Sequence, residues 1–297
     1  GTDEDTLSPK TIIDSGVLAV STGYYHTCAW ANGSLKCWGR NEYGQIGTGL
    51  HGRDQFTPIQ VFNSGVSSFS LGVFNTCVVR GGALDCWGYN SNAQLGDGTR
   101  KNRSAPKRII PSGVQSVAVG SAHICVLING SVKCWGDNRN GGVGNGAYCY
   151  VLYFSSGEQV NCFDSNGQSL TSEPQVFTTA SPYTVIESGV ASITAGGDRT
   201  CALMTNGALK CWGYRLKSDS TNTYSIYTMF ESGVSSIGVG GSHMCAVVEG
   251  GLKCWGDNSS GQLGTGNKTD SLVPIQIDSS NSFAKVFATD GWGSNST

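Results

Sequence analysis

Charge is scarce in this 297-residue chain: Asp, Glu, Lys and Arg together make up 13%, and the formal net charge is -2. A phosphate-binding surface needs clustered Lys and Arg. The largest basic cluster, TRKNRSAPKR at 99–108, reads as a solvated loop and strand edge, so no nucleic-acid partner is expected. A long apolar run is missing as well; about 18 consecutive apolar residues are needed before a helical membrane span is considered. The opening GTDEDTLSPK has none of the features of a signal peptide, and a secretory leader removed ahead of Gly1 is compatible with that start. Paired carboxylates, a hydrolase elbow, a phosphate loop and an HExxH motif are all absent. Nothing here assigns a catalytic residue, a cofactor or a metal ligand.

What the chain has in quantity is 43 glycines, 12 cysteines and seven tryptophans. Low charge with that composition fits a turn-rich β protein. One phrase recurs: HTCAWANGSLKCWG (26–39), NTCVVRGGALDCWG, HICVLINGSVKCWG, RTCALMTNGALKCWG and HMCAVVEGGLKCWG. In the first, a two-residue turn at Asn32-Gly33 pairs Ala31 with Ser34, Trp30 with Leu35, Ala29 with Lys36, and Cys28 with Cys37. Asn-Gly is the strongest short signal for such a turn, because both central residues need positive φ. Counting outward, the cysteines fall at a non-hydrogen-bonded pair, where side chains approach most closely and a disulfide can form. The same count pairs Cys77 with Cys86 across Gly81-Gly82, Cys125 with Cys134 across Asn129-Gly130, and Cys245 with Cys254 across Glu249-Gly250. Cys201 and Cys211 pair across the longer turn Thr205-Asn206-Gly207.

Zinc fits these thiols poorly, because eight intervening residues exceed the usual knuckle spacing and each hairpin offers only two ligands. Nucleophilic chemistry fits poorly too, since a catalytic thiol is normally single and poised beside a base. The cysteines read as staples. An even number of them argues for an oxidising, extracellular setting.

A longer period contains the hairpins. Ser-Gly-Val begins a short apolar strand at 15, 64, 112, 188 and 232. Each unit reads strand, glycine turn, strand, tight turn, strand ending in Trp-Gly, polar loop, then a fourth strand such as TPIQVF, PKRII or LVPIQI. Four strands every 45–50 residues is the spacing of a β-propeller blade, and stacking in a ring hides faces that one blade cannot hide alone. The repeated phrase VxxVxxGxxHxCxLxxxGxVxCWGxNxxGQLGxG resembles the regulator of chromosome condensation repeat family, best in NEYGQIGTG (41–49) and DNSSGQLGTG (257–266). That resemblance implies a β-propeller, typically of seven blades in the family. It extends over nearly the whole chain except 147–180, while the loop at 214–225 has lost the motif. The expectation is one all-β domain over 1–297: a small propeller of five to six four-stranded blades. It would close by pairing of the N-terminal strand near 8–13 with the C-terminal one near 283–289. A degenerate sixth start stands at NSFAKVFATDG (281–291), and Trp292-Gly293 is either a hairpin remnant or the occupant of the histidine position.

Candidate sites follow from what departs from the repeat. His26, His123 and His243 share one position, with Asn75, Arg199 and Trp292 at the same point elsewhere. A ring holds these histidines too far apart to share one ion. The tryptophans Trp38, Trp87, Trp135, Trp212 and Trp255 read as packing between blades. The insertion about 147–175 contains Cys149 and Cys162, which close a loop displaying Tyr150, Leu152, Tyr153 and Phe154. These are the ligand-binding candidates, because tyrosines supply broad contacts at low entropic cost. The bland alternative is a hairpin that only covers a blade. Sequons stand at Asn32, Asn102, Asn129, Asn258, Asn267 and Asn295 and fit a secreted glycoprotein. The function expected is extracellular, noncatalytic recognition of a protein or glycan through propeller loops. A secreted structural or self-assembling coat protein is one alternative, and an enzyme built on the diverged loops around Tyr214–Tyr224 is another. Within the family, the secreted β-lactamase inhibitor branch is similar in lifestyle only. Oligomeric state is not legible.

Overall fold

A computed structural model describes residues 7–138, 140–144, 148–154, 157–163, 178–214, 225–280 and 283–287, with the backbone alone for 148–154, 157–163 and 178–182. Blade one contains β1 (Val17–Thr22), β2 (His26–Ala31), β3 (Ser34–Gly39) and β4 (Gln55–Phe62). Blade two contains β5 (Val66–Leu71), β6 (Asn75–Arg80), β7 (Ala83–Gly88) and β8 (Arg103–Ile110). In blade three, β9 (Val114–Val119), β10 (His123–Ile128) and β11 (Ser131–Asp137) come first. The hairpin β12 (Tyr148–Phe154) and β13 (Gly157–Phe163) then intervenes before the blade is completed by β14 (Thr178–Ile186). Blade four holds β15 (Val190–Gly196), β16 (Arg199–Met204), β17 (Leu209–Gly213) and β18 (Tyr227–Phe230). Blade five holds β19 (Val234–Val239), β20 (His243–Val248), β21 (Gly251–Gly256) and β22 (Ser271–Asp278). Each blade is a four-stranded antiparallel sheet, and the inserted hairpin is a two-stranded sheet of its own.

The central hairpins have the register that their turns dictate. Ala31 faces Ser34 and Cys28 faces Cys37; Cys77 faces Cys86, Cys125 faces Cys134, Cys201 faces Cys211 and Cys245 faces Cys254. All five pairs are disulfide-bonded, with Cα atoms 4.1 to 4.2 Å apart. Asn32, Asn129 and Glu249 take φ of 52°, 50° and 52°, each followed by a glycine that is also left-handed. Closing so short a loop restricts the unfolded chain by about 3 kcal/mol per bridge in the chain-entropy account.

Blades join through one repeated latch in the loop after Trp-Gly. A buried Asn folds the loop: the Oδ1 of Asn41, Asn90, Asn138 and Asn258 accepts from the backbone N–H of Ile46, Leu95, Val143 and Leu263. Those four apolar side chains are almost fully buried. The indole of the next blade donates back to the loop: Trp87 Nε1 to Gln45 O at 2.9 Å, Trp135 Nε1 to Gln94 O at 3.1 Å, and Trp212 Nε1 to Gly142 O at 3.0 Å. The ring lies so close that a Cβ on Gly47, Gly96 or Gly144 would stand 2.6, 2.4 or 2.7 Å from it. Glycine is required there by contact as well as by φ.

The first strands of the blades follow one another in the order β1, β5, β9, β15, β19; among the described residues no comparable contact joins β19 back to β1. The expected terminal pairing is not shown: among the described residues, 8–13 and 283–287 lie outside every sheet, and 288 and 289 lie outside the described residues. Among the described residues no strand is paired with 8–13, and Ile12 is exposed. Residues 283–287 instead take the place of a sixth first strand. Val286 N–H donates to Ser236 Oγ at 3.1 Å, as Val117 N–H donates to Ser68 Oγ at 3.5 Å one step earlier in the fold. The two end flanks are consequently barer than the inner interfaces. Val17 is 41% exposed, whereas its counterparts Val66, Val114, Val190 and Val234 are 3%, 3%, 7% and 5%.

Candidate recognition surface at the hairpin ends

Every hairpin ends in the same construction. The glycine after Trp has φ between 103° and 116° at Gly39, Gly88, Gly136, Gly213 and Gly256. A Cβ on any of them would approach the carbonyl oxygen of the residue preceding the second strand to within 2.1 to 2.6 Å. That close approach lets the next backbone N–H bond to the same carbonyl. Arg40 N–H donates to Tyr25 O, Tyr89 to Phe74, Asp137 to Ala122, Tyr214 to Asp198 and Asp257 to Ser242, all at 2.8 to 3.2 Å. The scaffold thus presents two adjacent side chains at the same end of each blade, in positions that latch and core do not constrain.

Those pairs divide the blades into two sectors. In blades one and two they are Tyr25 with Arg40 and Phe74 with Tyr89. Tyr24 and Tyr43 join them to make one aromatic cluster. Tyr24 and Tyr25 meet edge to face at 4.2 Å between centroids, Tyr43 meets Phe74 at 5.1 Å and Tyr89 at 4.9 Å, and Tyr25 lies over Phe74 at 6.4 Å. The Arg40 guanidinium sits 5.1 Å from the Tyr25 centroid and 5.9 Å from that of Phe74, and pairs with Glu42. Tyr25 is 49% exposed. Blades three to five present Ala122 with Asp137, Asp198 with Tyr214, and Ser242 with Asp257. Asn92 Nδ2 donates to Asp137, Asn140 Nδ2 to Asp198 at 2.7 Å, and Gln262 Nε2 to Asp257 at 2.8 Å. The backbone N–H of Ser259 holds Asp257 below the ordinary carboxylate value.

Beneath the hairpin ends runs a belt of polar side chains between blades. His26 Nε2 donates to Thr76 Oγ1 at 2.9 Å, and the Thr76 hydroxyl in turn donates to Gln45 O at 2.9 Å. That chain of donors leaves the buried His26 Nδ1 bare. His123 Nε2 meets Thr200 Oγ1 at 2.7 Å in the same way, and Arg199 donates to Tyr214 O and Gly241 O. Burial lowers the His26 pKa from 6.5 to about 3, and lowers those of His123 and His243 as well. At Asn75 the next blade offers Ile124 where the histidines find threonine. Both amide atoms of Asn75 are accordingly buried without a partner. His26 and His123 are each engaged within their own interface, and among the described residues no group of three His, Cys, Asp or Glu could hold a metal ion.

The sequence-derived candidates fall elsewhere. The inserted hairpin pairs Cys149 opposite Cys162, and Tyr150, Leu152, Tyr153 and Phe154 stand along β12; their side chains lie outside the described residues. So do 215–224, Trp292 and the sequon at Asn295. Asn32, Asn102, Asn129 and Asn267 are exposed. Asn258 differs from these four. It is fully buried, with Nδ2 donating to Thr265 Oγ1, Asn267 O and Thr269 O. It is the loop-folding Asn of the latch, and its sequon is inaccessible in this fold. Trp87, Trp135, Trp212 and Trp255 pack between blades as expected, whereas Trp38 is only half-buried because no blade stands before it. The aromatic cluster was missed. Its signal was available by aligning the residues before the histidine position and after Trp-Gly across the repeats.

Two models of the regulator of chromosome condensation (RCC1) repeat match the chain. One matches 32–79, 82–127 and 249–292; the other matches 17–45, 114–141, 190–214 and 234–262. Together they cover well over half of it, and the chain belongs to the RCC1 repeat family of β-propellers. Among solved structures it is similar to human WBSCR16, with 20% identity and a TM-score of 0.73, over 92% of this chain and 70% of that one. It is also similar to a chain in the structure of Kap60 bound to yeast RCC1 (Prp20), with 19% identity and a TM-score of 0.68, over 89% of this chain and 61% of that one. No curated protein sequence matches the chain.

Proposed function

We propose that this chain is a secreted, noncatalytic recognition propeller that binds a protein through the hairpin ends of blades one and two. The observation that carries this reading is the cluster of Tyr24, Tyr25, Tyr43, Phe74 and Tyr89 with Arg40 at positions the fold leaves free. Tyrosine and arginine are the residue types that dominate protein-binding hot spots. A glycan-binding propeller would repeat its aromatic platform from blade to blade; here the aromatic side chains of blades one and two form one cluster while blade four presents Tyr214 beside Asp198, which favours one protein partner. The five stapled hairpins favour an oxidising, extracellular setting. Exposed Asn32 and Asn129, in NGS turns, fit glycosylation there.

The test compares three versions in affinity capture from extracellular fluid: the intact chain, Tyr25→Ala/Phe74→Ala, and a version with 149–162 replaced by a short Gly-Ser link. A partner retained by the first and third and lost by the second supports this surface. Loss by the third alone moves recognition to the inserted hairpin. Retention by all three removes both.

A further inference from the structure

The basic run at 99–108, a loop and strand edge in the sequence, gains a further cation once blade two folds. Asp85 on β7 lies opposite Arg108 of β8. Its nearly buried carboxylate meets two guanidinium groups: Arg108 donates from Nε to Oδ1 at 2.6 Å, and Arg80 of β6 stands 3.9 Å from Oδ2. The other blades place Lys36, Lys133, Lys210 and Lys253 at the Asp85 position, opposite Gln60, Thr184, Thr228 and Gln276. Two arginines on one carboxylate leave a net positive charge. Arg80 is also underused: its contact with Asp85 is too long for a hydrogen bond, and its Nε finds no acceptor. Its guanidinium is held over the Phe62 ring, 4.5 Å from the centroid. Roughly 17 Å along β8 from Arg108, Arg103 pairs with Asp97, whose side chain is fully buried. Arg100, Lys101 and Lys107 are exposed, and among the described residues no carboxylate pairs with them. The outer edge of blade two is therefore basic in a chain whose net charge is -2.

We infer that this edge binds a sulfated polysaccharide, with Arg80 and Arg108 seating one sulfate group and Arg100, Lys101, Arg103 and Lys107 following the polymer along β8. Clustered Lys and Arg on an exposed segment are the footprint of a heparin-like polyanion. A guanidinium fork matches the oxygens of an oxyanion better than an ammonium does. Asp85 holds Arg108, and Phe62 holds Arg80, so neither long side chain has to be ordered from scratch when the polymer arrives. Single-stranded nucleic acid needs rings on which bases stack, and Phe62 is already covered by Arg80. The stapled hairpins favour the oxidising setting in which such polysaccharides, rather than chromosomal DNA, are met. Recognition by charge needs no aromatic platform, so this edge and the aromatic surface act separately.

The experiment measures binding to immobilised heparin, with hyaluronan, which carries carboxylates and no sulfate, and mixed-sequence duplex DNA as competitors. The first variant, Arg80→Ala/Asp85→Lys/Arg108→Gln, installs the residues that blade one carries at Ala31, Lys36 and Gln60 and leaves the net charge unchanged. The second, Arg100→Gln/Lys101→Gln/Lys107→Gln, alters exposed side chains only. The intact chain is expected to bind heparin in a salt-sensitive manner, and both competitors displace it poorly. The first variant loses about tenfold in affinity despite its equal charge, and the second loses roughly two- to fivefold for each cation removed. No binding by the intact chain overturns the inference. An unchanged first variant overturns the seat, and an unchanged second overturns the track along β8. Hyaluronan competing as well as heparin overturns the need for sulfate, and DNA competing as well overturns the choice of polysaccharide. Melting of both variants separates these outcomes from misfolding.

Discussion

The latch between blades and the ends of the hairpins lie within a few residues of each other, yet only one of them repeats. Asn41, Asn90, Asn138 and Asn258 fold the same loop with the same bond, and Trp87, Trp135 and Trp212 fill the same slot. One residue beyond Trp-Gly, Arg40, Tyr89, Asp137, Tyr214 and Asp257 range over a cation, two phenols and two carboxylates while sharing one backbone hydrogen bond. A side chain that must fit a neighbouring blade is fixed by packing. A position fixed only through its main chain can vary in side chain from blade to blade. The regularity therefore marks the scaffold, and the irregular positions beside it mark the surface available for function.

The largest effect that sharpens this contrast belongs to a valine buried between blades. Val114→Asp buries an unpaired carboxylate between blades two and three and is expected to cost about 4 kcal/mol or more. Val17→Asp, at the equivalent but exposed position of blade one, is expected to cost under ~1 kcal/mol. Urea denaturation of the two variants checks this; equal losses would mean that the valine matters within its own blade and not through its neighbour.

The glycines give a narrower comparison. Gly96 and Gly264 have φ of 74° and 72°, so replacement by Ala carries the same left-handed cost of about 1 kcal/mol at both. A Cβ at Gly96 would stand 2.4 Å from Trp135, while at Gly264 the nearest atom is Ile277 at 3.8 Å. Gly96→Ala is expected to lose a further 1–3 kcal/mol or so through overpacking. Melting temperatures that fall equally would break the latch account.

Acid should act on the belt under the hairpin ends. Burial lowers the His26 pKa from 6.5 to about 3, so the unfolded chain takes up a proton that the folded chain refuses. The stability contributed by neutral His26 is present above pH 6.5 and is lost progressively as pH falls toward 3. His26→Gln is expected to flatten that part of a stability-against-pH profile. A profile unchanged by the substitution would remove His26 as the cause.

The smallest effect on stability, and the largest on function, belongs to the hairpin ends. Tyr25→Ala forfeits ring contacts worth about 1 kcal/mol and is expected to leave the fold intact in circular dichroism while recognition is lost.

Much of this was legible in the sequence because the rules involved are local. Asn32-Gly33 sets a two-residue turn, the turn sets the register, and the register sets Cys28 opposite Cys37. Ser-Gly-Val and Trp-Gly mark the same strand ends in every unit, so the blades and the tryptophan packing could be read by alignment. The errors were of another kind. Residues 8–13 have the composition of a fourth strand, but a strand needs a partner edge and among the described residues none is paired with them. The sequon at Asn258 depends on three residues, whereas its burial depends on Leu263, Thr265 and Thr269 folding around it. The aromatic cluster assembles Tyr25, Tyr43, Phe74 and Tyr89 from two blades. Their proximity exists only once the blades are stacked, while the insertion with Tyr150 and Tyr153 drew attention because its tyrosines are adjacent in sequence.

The most direct measurement is hydroxyl-radical footprinting of the intact chain with and without its captured partner, read residue by residue by mass spectrometry. The account predicts protection of Tyr24, Tyr25, Tyr43, Phe74 and Tyr89, with Tyr150, Tyr153 and Phe154 unchanged. Protection confined to the inserted hairpin, or spread evenly over all five blades, would contradict it.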